Sequence, residues 1–249
     1  KIFGNKLAIV PYVMPGFDLA KKCYQIYNKN KKVEGLLLLN HGIFTFAATA
    51  EDSYKRMIKY VTIAENFIKK CKLKSKKINS VINKNNNFDI GKLQNQIRKI
   101  YYNSTNIKWI IKHNGNKEDI LLSNNKNLKT MFGKGPVTPD HVIRIKSKPL
   151  IIESINRKKN NLVEDSIIKY ENEYKKYFQK YKKTIKNVKI SDPLPRIIIV
   201  PSLGYFSIGH TQKEEKISND IFLSMSETII NSNYVSSFKS INQKEIFKM

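Results

Sequence analysis

The stretch GLLLLNHGIFTFAATAEDSYKRMIKYVTIAE, residues 35–65, decides how the chain folds. It opens with an unbroken apolar run, which is typical of a strand that is buried on both faces. His41 and Gly42 interrupt this run, and an extended pattern resumes directly afterwards. Thr49 then stands where it can cap a long helix, because the apolar residues that follow recur at three- and four-residue steps. This stripe predicts a helix face on a core and comprises Tyr54, Met57, Ile58, Val61, Ala64 and Ile68.

The residues before this stretch predict one more strand and one more helix. The chain reads as a short apolar strand from Leu7 to Val10, a break at Pro15-Gly16, and a helix from Asp18 to Tyr27. Downstream, residues 75–88 are rich in Lys and Asn and are typical of an exposed linker. We therefore expect a first α/β unit over residues 1–74.

Residues 89–249 predict a second, smaller α/β unit, because strand-like and helix-like segments alternate without an internal repeat. The expected order begins with a helix at 90–101, followed by strands at 107–111 and 119–122 that are joined by a turn at 113–115. A Gly/Pro-rich connection at 133–146, two short strands and a helix at 162–185 come next. The unit ends with a strand at 196–201, a glycine-bearing turn at 202–210 and a helix capped by Thr211 and Glu214. The fold class predicted for the whole chain is α/β.

The charge of the chain raises the question of a nucleic-acid partner. The 249 residues include 46 Lys+Arg against 20 Asp+Glu, a formal net charge of +26, and such a charge displaces counterions from phosphates. Only five of the basic residues are arginine, however, and the fork of donors that reads bases and clamps phosphates belongs to arginine. The composition therefore favours a solvated, Lys-rich surface over a nucleic-acid site.

Other classes of protein are excluded by simple counts. No apolar run approaches the roughly 20 residues of a membrane-spanning helix, so we expect no membrane partner. Two cysteines, Cys23 and Cys71, cannot build a disulfide scaffold. The chain does not open with a secretory signal pattern, which favours a cytoplasmic location.

His41 is the best candidate for a functional residue among the four histidines. It lies where an apolar strand ends, and α/β proteins bind ligands at that edge of the sheet. A neutral imidazole held there could bind a metal ion through one nitrogen. Alternatively, it bonds to a neighbouring carbonyl and closes the turn. No HxH or HExxH pair accompanies it in the sequence, so a metal site would have to be assembled in space.

Two further segments carry candidate residues. Thr138, Asp140 and His141 cluster in a Pro-containing loop that could contact a substrate or another subunit, although a turn capped by its own side chains explains the pattern as well. In the turn after residue 200, the slots of a dinucleotide-binding GxGxxG motif hold Ser202, Gly204 and Ser207. Only the middle glycine is in place, so this pattern does not favour a dinucleotide cofactor.

Four segments together resemble a known family. They are YVMPGFDLAKK at 12–22, the Asn-His-Gly stretch at 35–65, GPVTPDHVIRIK at 135–146 and RIIIVPSLGYFSIGHTQKEEKISNDI at 196–221. The Asn-His-Gly stretch resembles the class II aldolase/adducin-type domain, which implies a layered α/β/α fold. In this order, the four segments are similar to the aldolase half of the bifunctional rhamnulose-1-phosphate aldolase/short-chain dehydrogenase family.

The resemblance implies a zinc-dependent aldehyde-lyase. Members of the family cleave a ketose 1-phosphate to dihydroxyacetone phosphate and an aldehyde, and they assemble as homotetramers with sites at subunit interfaces. Three histidines bind the zinc ion, two from an HxH pair and one from the Asn-His-Gly turn. His41 matches the third histidine, and its neighbours Asn40 and Gly42 are candidate contacts with the substrate or with another subunit.

The departures from the family pattern shape a further expectation. The matching HxH pair, catalytic glutamate and phosphate-binding loop would lie upstream of Lys1, and a dehydrogenase half would follow the end of the chain. Ser202 and Ser207 also stand where the family carries glycine. We therefore expect residues 1–74 to be the C-terminal part of the aldolase domain, residues 89–249 its second unit, and the fragment to be inactive alone. A non-catalytic, adducin-like interaction module and a basic nucleic-acid binder are the alternatives.

The nucleic-acid alternative makes a distinct prediction. If the lysines only solvate the surface, binding of the chain to duplex DNA should be negligible at about 150 mM salt, as measured by fluorescence anisotropy. A nucleic-acid site would instead give binding that persists at this salt concentration and falls steeply as salt rises further. The second result would reverse the interpretation of the charge.

Overall fold

The computed structural model describes residues 2–74, 89–152, 161–185 and 187–249, except for the side chain of Asp140. The predicted linker at 75–88 lies outside these residues. The chain divides into two compact units, one of Lys1–Lys76 with Asn231–Ser237, the other of Lys77–Ile230 with Phe238–Met249. In this chain the second unit is the longer of the two, whereas a smaller second unit was expected.

The described residues of the first unit contain three strands and two main helices. In chain order these are β1 (Leu7–Val10), α1 (Phe17–Lys29), β2 (Gly35–Leu38), β3 (Gly42–Thr45) and α2 (Ala50–Lys74). The strands form one sheet in the order β1-β2-β3. β1 pairs with β2 in parallel, because α1 carries the chain back to the same end, and β2 pairs with β3 as an antiparallel hairpin.

One face of this sheet packs on α1. Val10, Val33 and Leu36 are buried there, and side chains of α1 that include Leu19 and Cys23 pack against them. The helical spacing between Asp18 and Tyr27 therefore predicted α1 and its inner face correctly.

Hydrogen bonds cap α2 and attach it to the sheet. Thr49 Oγ1 accepts from the backbone N–H of Asp52 at 3.1 Å, so the predicted N-cap is confirmed. Two side chains of the helix then bond to the end of β3: Ser53 Oγ donates to the carbonyl of Thr45 at 3.0 Å, and the Arg56 guanidinium donates to the carbonyl of Phe46 at 2.6 Å.

One turn further along, Tyr60 is the buried residue of α2 (Ala50–Lys74), and its hydroxyl bonds to Glu34, directly before β2. Tyr60 Oη donates to Glu34 Oε2 at 2.5 Å, and Lys6 Nζ lies 2.9 Å from Glu34 Oε1. The bond from Tyr60, and then the bond from Lys6, lowers the pKa of Glu34 to about 2. Burial and the neighbouring carboxylate raise the pKa of Tyr60 to about 12.

The predicted apolar stripe of α2 is only partly correct. Tyr54, Ile58 and Val61 are 67%, 48% and 36% exposed, so this part of the stripe does not lie on a core. Helical spacing shows which residues share a face, but it does not show whether another element covers that face. The inner face of α2 is set instead by Ser53, Arg56 and Tyr60.

The second unit contains a four-stranded sheet between helices. Its elements in chain order are α3 (Ile90–Thr105), β4 (Ile110–Asn114), α4 (Lys117–Ser123), α5 (Leu128–Phe132), α6 (Pro139–Ile145), β5 (Leu150–Ile151), α7 (Leu162–Tyr181), β6 (Ile197–Val200), β7 (Gly204–Gly209), α8 (Gln212–Val235) and α9 (Gln243–Phe247). The strand order is β4-β7-β6-β5. β6 and β7 form an antiparallel hairpin, and every residue of both strands is buried.

Successive residues of these strands point into two separate cores, one on each face of the sheet. Ile198, Val200, Phe206 and Ile208 pack with residues of α3 and α7. Ile197, Ile199 and Tyr205 pack on the other face with residues of α5 and α8. The second unit is therefore a layered α/β/α structure, and the predicted α/β class is confirmed.

Three predicted elements of the second unit are wrong. Residues 119–122 lie in α4, because Asn116 and Asp119 form a capping box that starts a helix where a strand was expected. The expected turn at 113–115 is not formed, since β4 continues through Asn114. The expected turn at 202–210 contains the whole of β7, whose mixture of Gly, Ser and aromatic residues hides the strand pattern.

The connection at 133–146 also differs from the prediction. It contains α6, which begins with Pro139 at its first position, where proline is favoured. After it, β5 is one of the two short strands that were expected, and residues 153–160 lie outside the described ranges. In the described part of the chain, every helix is too short or too polar to span a membrane.

The tie between Tyr60 and Glu34 predicts how the fold responds to acid. Because the folded-state pKa of Glu34 lies below its ordinary value of 4.5, its ionised form stabilises the fold above that value, and the contribution is lost as the pH falls towards 2. Tyr60→Phe should raise the pKa of Glu34 in an NMR titration and reduce this loss.

A matched control is Tyr54→Phe, which changes an exposed tyrosine of the same helix. It should leave the Glu34 titration unchanged. Equal titration midpoints in the wild type and in Tyr60→Phe would contradict the assigned tie.

Candidate functional site

The hairpin between β2 and β3 carries the first group of candidate residues. Leu38 pairs with Gly42, so Leu39, Asn40 and His41 form its three-residue loop. The backbone N–H of Leu39 donates to the carbonyl of Val10 at 3.0 Å. This bond continues the parallel pairing of β1 and β2 and holds the loop beside the carboxyl end of β1.

The residue types of this loop match its backbone. Asn40 has a φ of +62°, the left-handed region that asparagine tolerates better than most residues. Gly42 has a φ of +136°, and a Cβ there would meet no atom within 4 Å. The glycine is therefore required by its conformation and not by a close neighbour.

A backbone carbonyl positions the imidazole of His41. Nε2 lies 2.9 Å from the carbonyl oxygen of Val13, which can only accept, so Nε2 carries a proton. The ring of Tyr12 stacks on the imidazole, with centroids 5.3 Å apart and planes 11° apart. In the neutral ring the lone pair then lies on Nδ1, which is the nitrogen available to a metal ion or a proton.

This geometry is compatible with both interpretations of His41, the metal ligand and the histidine that bonds to a carbonyl. The ring bonds to a carbonyl, as the structural interpretation expected, but the carbonyl lies 28 residues away in the chain. A metal-binding histidine commonly donates its second ring N–H to such an acceptor, so the bond is compatible with a ligand role.

The described residues fit only part of a zinc site. Zinc sites in enzymes use three protein ligands, and within the described ranges no three His, Cys, Asp or Glu side chains come together to hold a metal ion. His41 fits as one ligand. A complete zinc site would need at least two more from outside the described residues or from another chain.

The second group of candidates lies at the start of α6, in the second unit. Thr138 and His141 form the N-terminal cap: the backbone N–H of Thr138 donates to Nδ1 of His141 at 3.2 Å, and Thr138 Oγ1 lies 2.7 Å from the same nitrogen. His141 is buried, and Asp140 lies in the first turn of the helix. This matches the expectation of a segment capped by its own side chains, with a helix in place of a turn.

The two groups of candidates belong to different units, and each forms its own local structure. Sequence reasoning identified the loop of His41 but missed Tyr12 and Val13, which hold its ring. Proximity in sequence could not find them, because the parallel pairing of β1 with β2 brings them together. The Asn-Gly pair at Asn114 was misleading for the opposite reason, since it is a strong local signal that the sheet overrides.

The turn between β6 and β7 explains the first two positions of the glycine-rich pattern, of which one holds serine and the other keeps its glycine. Ser202 has a φ of +66°, a conformation that glycine adopts without strain, and its Oγ donates to Asn124 Oδ1 at 2.9 Å. Gly204 has a φ of +102°, and a Cβ there would lie 2.1 Å from the carbonyl oxygen of Asn114. A side chain is therefore tolerated at the first position and excluded at the second.

Ser207, the third position of this pattern, takes part in a buried polar chain. Asn114 Nδ2 donates to Ser207 Oγ at 2.8 Å, and Ser207 Oγ donates to Glu215 Oε1 at 2.5 Å. These bonds tie β4 and β7 to the first turns of α8. A β-hairpin at this place, instead of a strand followed by a helix, agrees with the sequence argument against a dinucleotide site.

Two domain families match the chain. The family described as "Class II Aldolase and Adducin N-terminal domain" matches residues 1–68, and the one described as "Aldolase class II, second domain" matches residues 89–249. The chain belongs to the class II aldolase family. The stretch at 35–65 that suggested this family lies inside the first match.

A relative of this class II aldolase chain is the "Uncharacterized oxidoreductase YuxG" of Bacillus subtilis (strain 168). The two are 23% identical over 264 residues, which cover 99% of this chain and 37% of the relative. The chain thus spans a little more than a third of the length of the curated relative. No solved structure matches it significantly.

The close approach at Gly204 gives a prediction for stability. Gly204→Ala should lower the free energy of unfolding by more than about 1 kcal/mol, because the new Cβ collides with the Asn114 carbonyl and the φ is unfavourable. Urea unfolding followed by circular dichroism measures the change.

The matched control is Gly91→Ala in α3, where the new Cβ would meet only Asp89 Oδ1, at 3.4 Å. This substitution should not lower the free energy of unfolding, because alanine favours helix more than glycine does. Equal effects of the two substitutions would refute the assigned contact.

Proposed function

We propose that this chain is part of a zinc-dependent class II aldolase that cleaves a ketose 1-phosphate of the rhamnulose 1-phosphate kind. The products are dihydroxyacetone phosphate and an aldehyde. In this proposal His41 is one of the zinc ligands. The observation that carries it is the hairpin geometry: an imidazole at the carboxyl end of two parallel strands, with its Nε2 proton fixed by Val13 and a lone pair on Nδ1.

The residues of the hairpin have separate roles in this proposal. The carbonyl of Val13 holds the proton on Nε2, so the neutral ring offers Nδ1. The stacked ring of Tyr12 restricts rotation of the imidazole. Asn40 is partly exposed beside His41, and we assign it, with the backbone of Gly42, to contacts with the substrate or a neighbouring subunit.

Zinc, when bound, polarises the hydroxy-ketone oxygens of the substrate and stabilises the negative charge that develops as the carbon–carbon bond breaks. The further ligands and the catalytic glutamate come, in this proposal, from residues outside those described. A homotetramer with sites at subunit interfaces is part of the same proposal, and it rests on the family resemblance. Substrate or subunit contacts of Thr138, Asp140 and His141 are also part of the proposal; they rest only on the clustering of these polar residues in a Pro-containing segment, which the cap of α6 explains as well.

The length of the relative supports the proposal that this chain is part of a larger protein. The chain matches 37% of a protein named as an oxidoreductase, which supports a short-chain dehydrogenase half elsewhere in the same polypeptide. We propose that this bifunctional protein acts on sugar phosphates in the cytoplasm.

The alternative is an interaction module without metal chemistry. The family description that matches residues 1–68 names adducin together with the class II aldolases, so it supports both functions. Zinc content and cleavage distinguish them.

The test uses the protein as expressed from its own gene. His41→Gln keeps an amide N–H that can donate to Val13 in place of Nε2, but it removes the imidazole ligand. We expect the thermal midpoint to change little, the zinc content to fall below a tenth of the wild-type value, and cleavage of rhamnulose 1-phosphate to fall roughly 100-fold or more. Zinc is measured by mass spectrometry and dihydroxyacetone phosphate by a coupled assay.

The matched control is His113→Gln, because Nε2 of His113 also bonds to a backbone carbonyl, that of Leu203, at 2.8 Å. This variant should keep its zinc and its activity per folded molecule. Retention of both by His41→Gln would refute the ligand role of His41. A wild-type protein that holds no zinc and cleaves no sugar phosphate would favour the adducin-like module.

A further inference from the structure

Lys146, at the end of α6, has an unusual backbone conformation. Its φ is +66° and its ψ is 173°, a region that is almost restricted to glycine, while its N–H still donates to the carbonyl of Val142. Such strained positions persist only when the surroundings fix them, and they are concentrated at functional sites.

The amine of Lys146 is held by three groups of the second unit. Nζ donates to Ser191 Oγ at 2.8 Å and to the carbonyl oxygen of Asp192 at 2.7 Å. It also lies 4.8 Å from the centroid of the Tyr174 ring, and Tyr174 Oη is 2.9 Å from the same Ser191 hydroxyl. The amine is thus fixed among hydroxyl groups and an aromatic ring.

The surroundings of this amine favour its uncharged form. Burial lowers the pKa of Lys146, the carboxylate of Asp192 opposes this effect, the positive charge of Arg196 adds to it, and the net pKa is about 8. The Asp192 carboxylate is itself engaged by Arg196 in a bidentate pair at 2.9 and 2.6 Å. Lysines that are desolvated and stand near another cation are the ones that proteins use as nucleophiles.

A cavity opens next to Lys146. It measures about 320 Å³ and lies between α6, α7, α9 and the segment before β6. Its walls are largely apolar and aromatic, and they include Tyr174, Tyr177 and Phe178. Ser147, Lys189 and Ser191 add polar groups. Apolar walls with a few convergent polar groups are typical of small-molecule sites.

We propose that Lys146 is a reactive amine that forms an imine with a small aldehyde in this cavity. The site is separate from His41 and does not depend on the zinc proposal, since all its residues belong to the second unit. Small aldehydes fit it because an uncharged amine attacks a carbonyl carbon, and because the apolar walls accept a short carbon chain.

The reaction balances with the groups at hand. The lone pair of Nζ attacks the aldehyde carbon, and one proton passes from the nitrogen to the carbonyl oxygen, which gives a carbinolamine. Loss of its hydroxyl with one proton, as water, leaves the C=N bond of the imine. The hydroxyl groups of Tyr174 and Ser191 lie where they can exchange these protons. The net change is amine plus aldehyde to imine plus water, without an oxidant or a reductant.

The experiment traps the imine on the wild-type chain. Acetaldehyde and cyanoborohydride are added at pH 7, and the ethyl group left on each lysine is measured by peptide mass spectrometry. A pKa of about 8 makes the neutral fraction roughly 200 times that of an ordinary lysine. Because burial slows access, we expect Lys146 to be modified at least about tenfold faster than the exposed Lys148, with a rate that saturates as acetaldehyde increases.

The pH dependence and two variants complete the test. The modification rate of Lys146 should level off above about pH 8. Lys148→Arg should leave the labelling of Lys146 unchanged, and Lys146→Arg should abolish the fast phase. Modification of Lys146 no faster than that of Lys148, or a rate that is linear in acetaldehyde, would overturn the proposal and leave Lys146 as a tie for the segment at 187–195.

Discussion

The parallel ladder between β1 and β2 is the constraint on which the His41 site depends. Because both strands run in the same direction, their carboxyl ends lie at one edge of the sheet, and the segments that follow them meet there. Val13 is brought within 2.9 Å of His41 in this way, although the two residues are 28 positions apart. Without this pairing, the hairpin would carry a histidine whose ring no carbonyl orients.

The second unit depends on a different interaction, the buried hairpin of β6 and β7. Its side chains supply both cores, so the layers of helices on either face are organised by one element. The turn of that hairpin rests on β4 through the contact of Gly204 with Asn114. The polar chain through Ser207 to Glu215 then fixes the start of α8. Apolar packing sets the layers here, and a few hydrogen bonds set the register.

The sequence predicted the features that depend on neighbours in the chain. The cap at Thr49, the inner face of α1 and the hairpin at Asn40 and His41 follow from local patterns, and the structure has them. The predictions that failed concern elements that depend on distant partners. For example, β7 is a strand because it pairs with β4 and β6. For the same reason Tyr12, Val13 and the environment of Lys146 could not be foreseen, since each is brought together by segments far apart in sequence.

The exposed part of α2 has a consequence for how molecules of this protein behave towards one another. Tyr54, Ile58 and Val61 present apolar surface to water, which favours association in concentrated solution. The net charge of +26 opposes it, because like-charged molecules repel one another over about a Debye length, roughly 30 Å at 0.01 M ionic strength and 8 Å at 0.15 M. Colloidal stability therefore depends on a balance between a short-range attraction from one helix and a repulsion that the surrounding electrolyte controls.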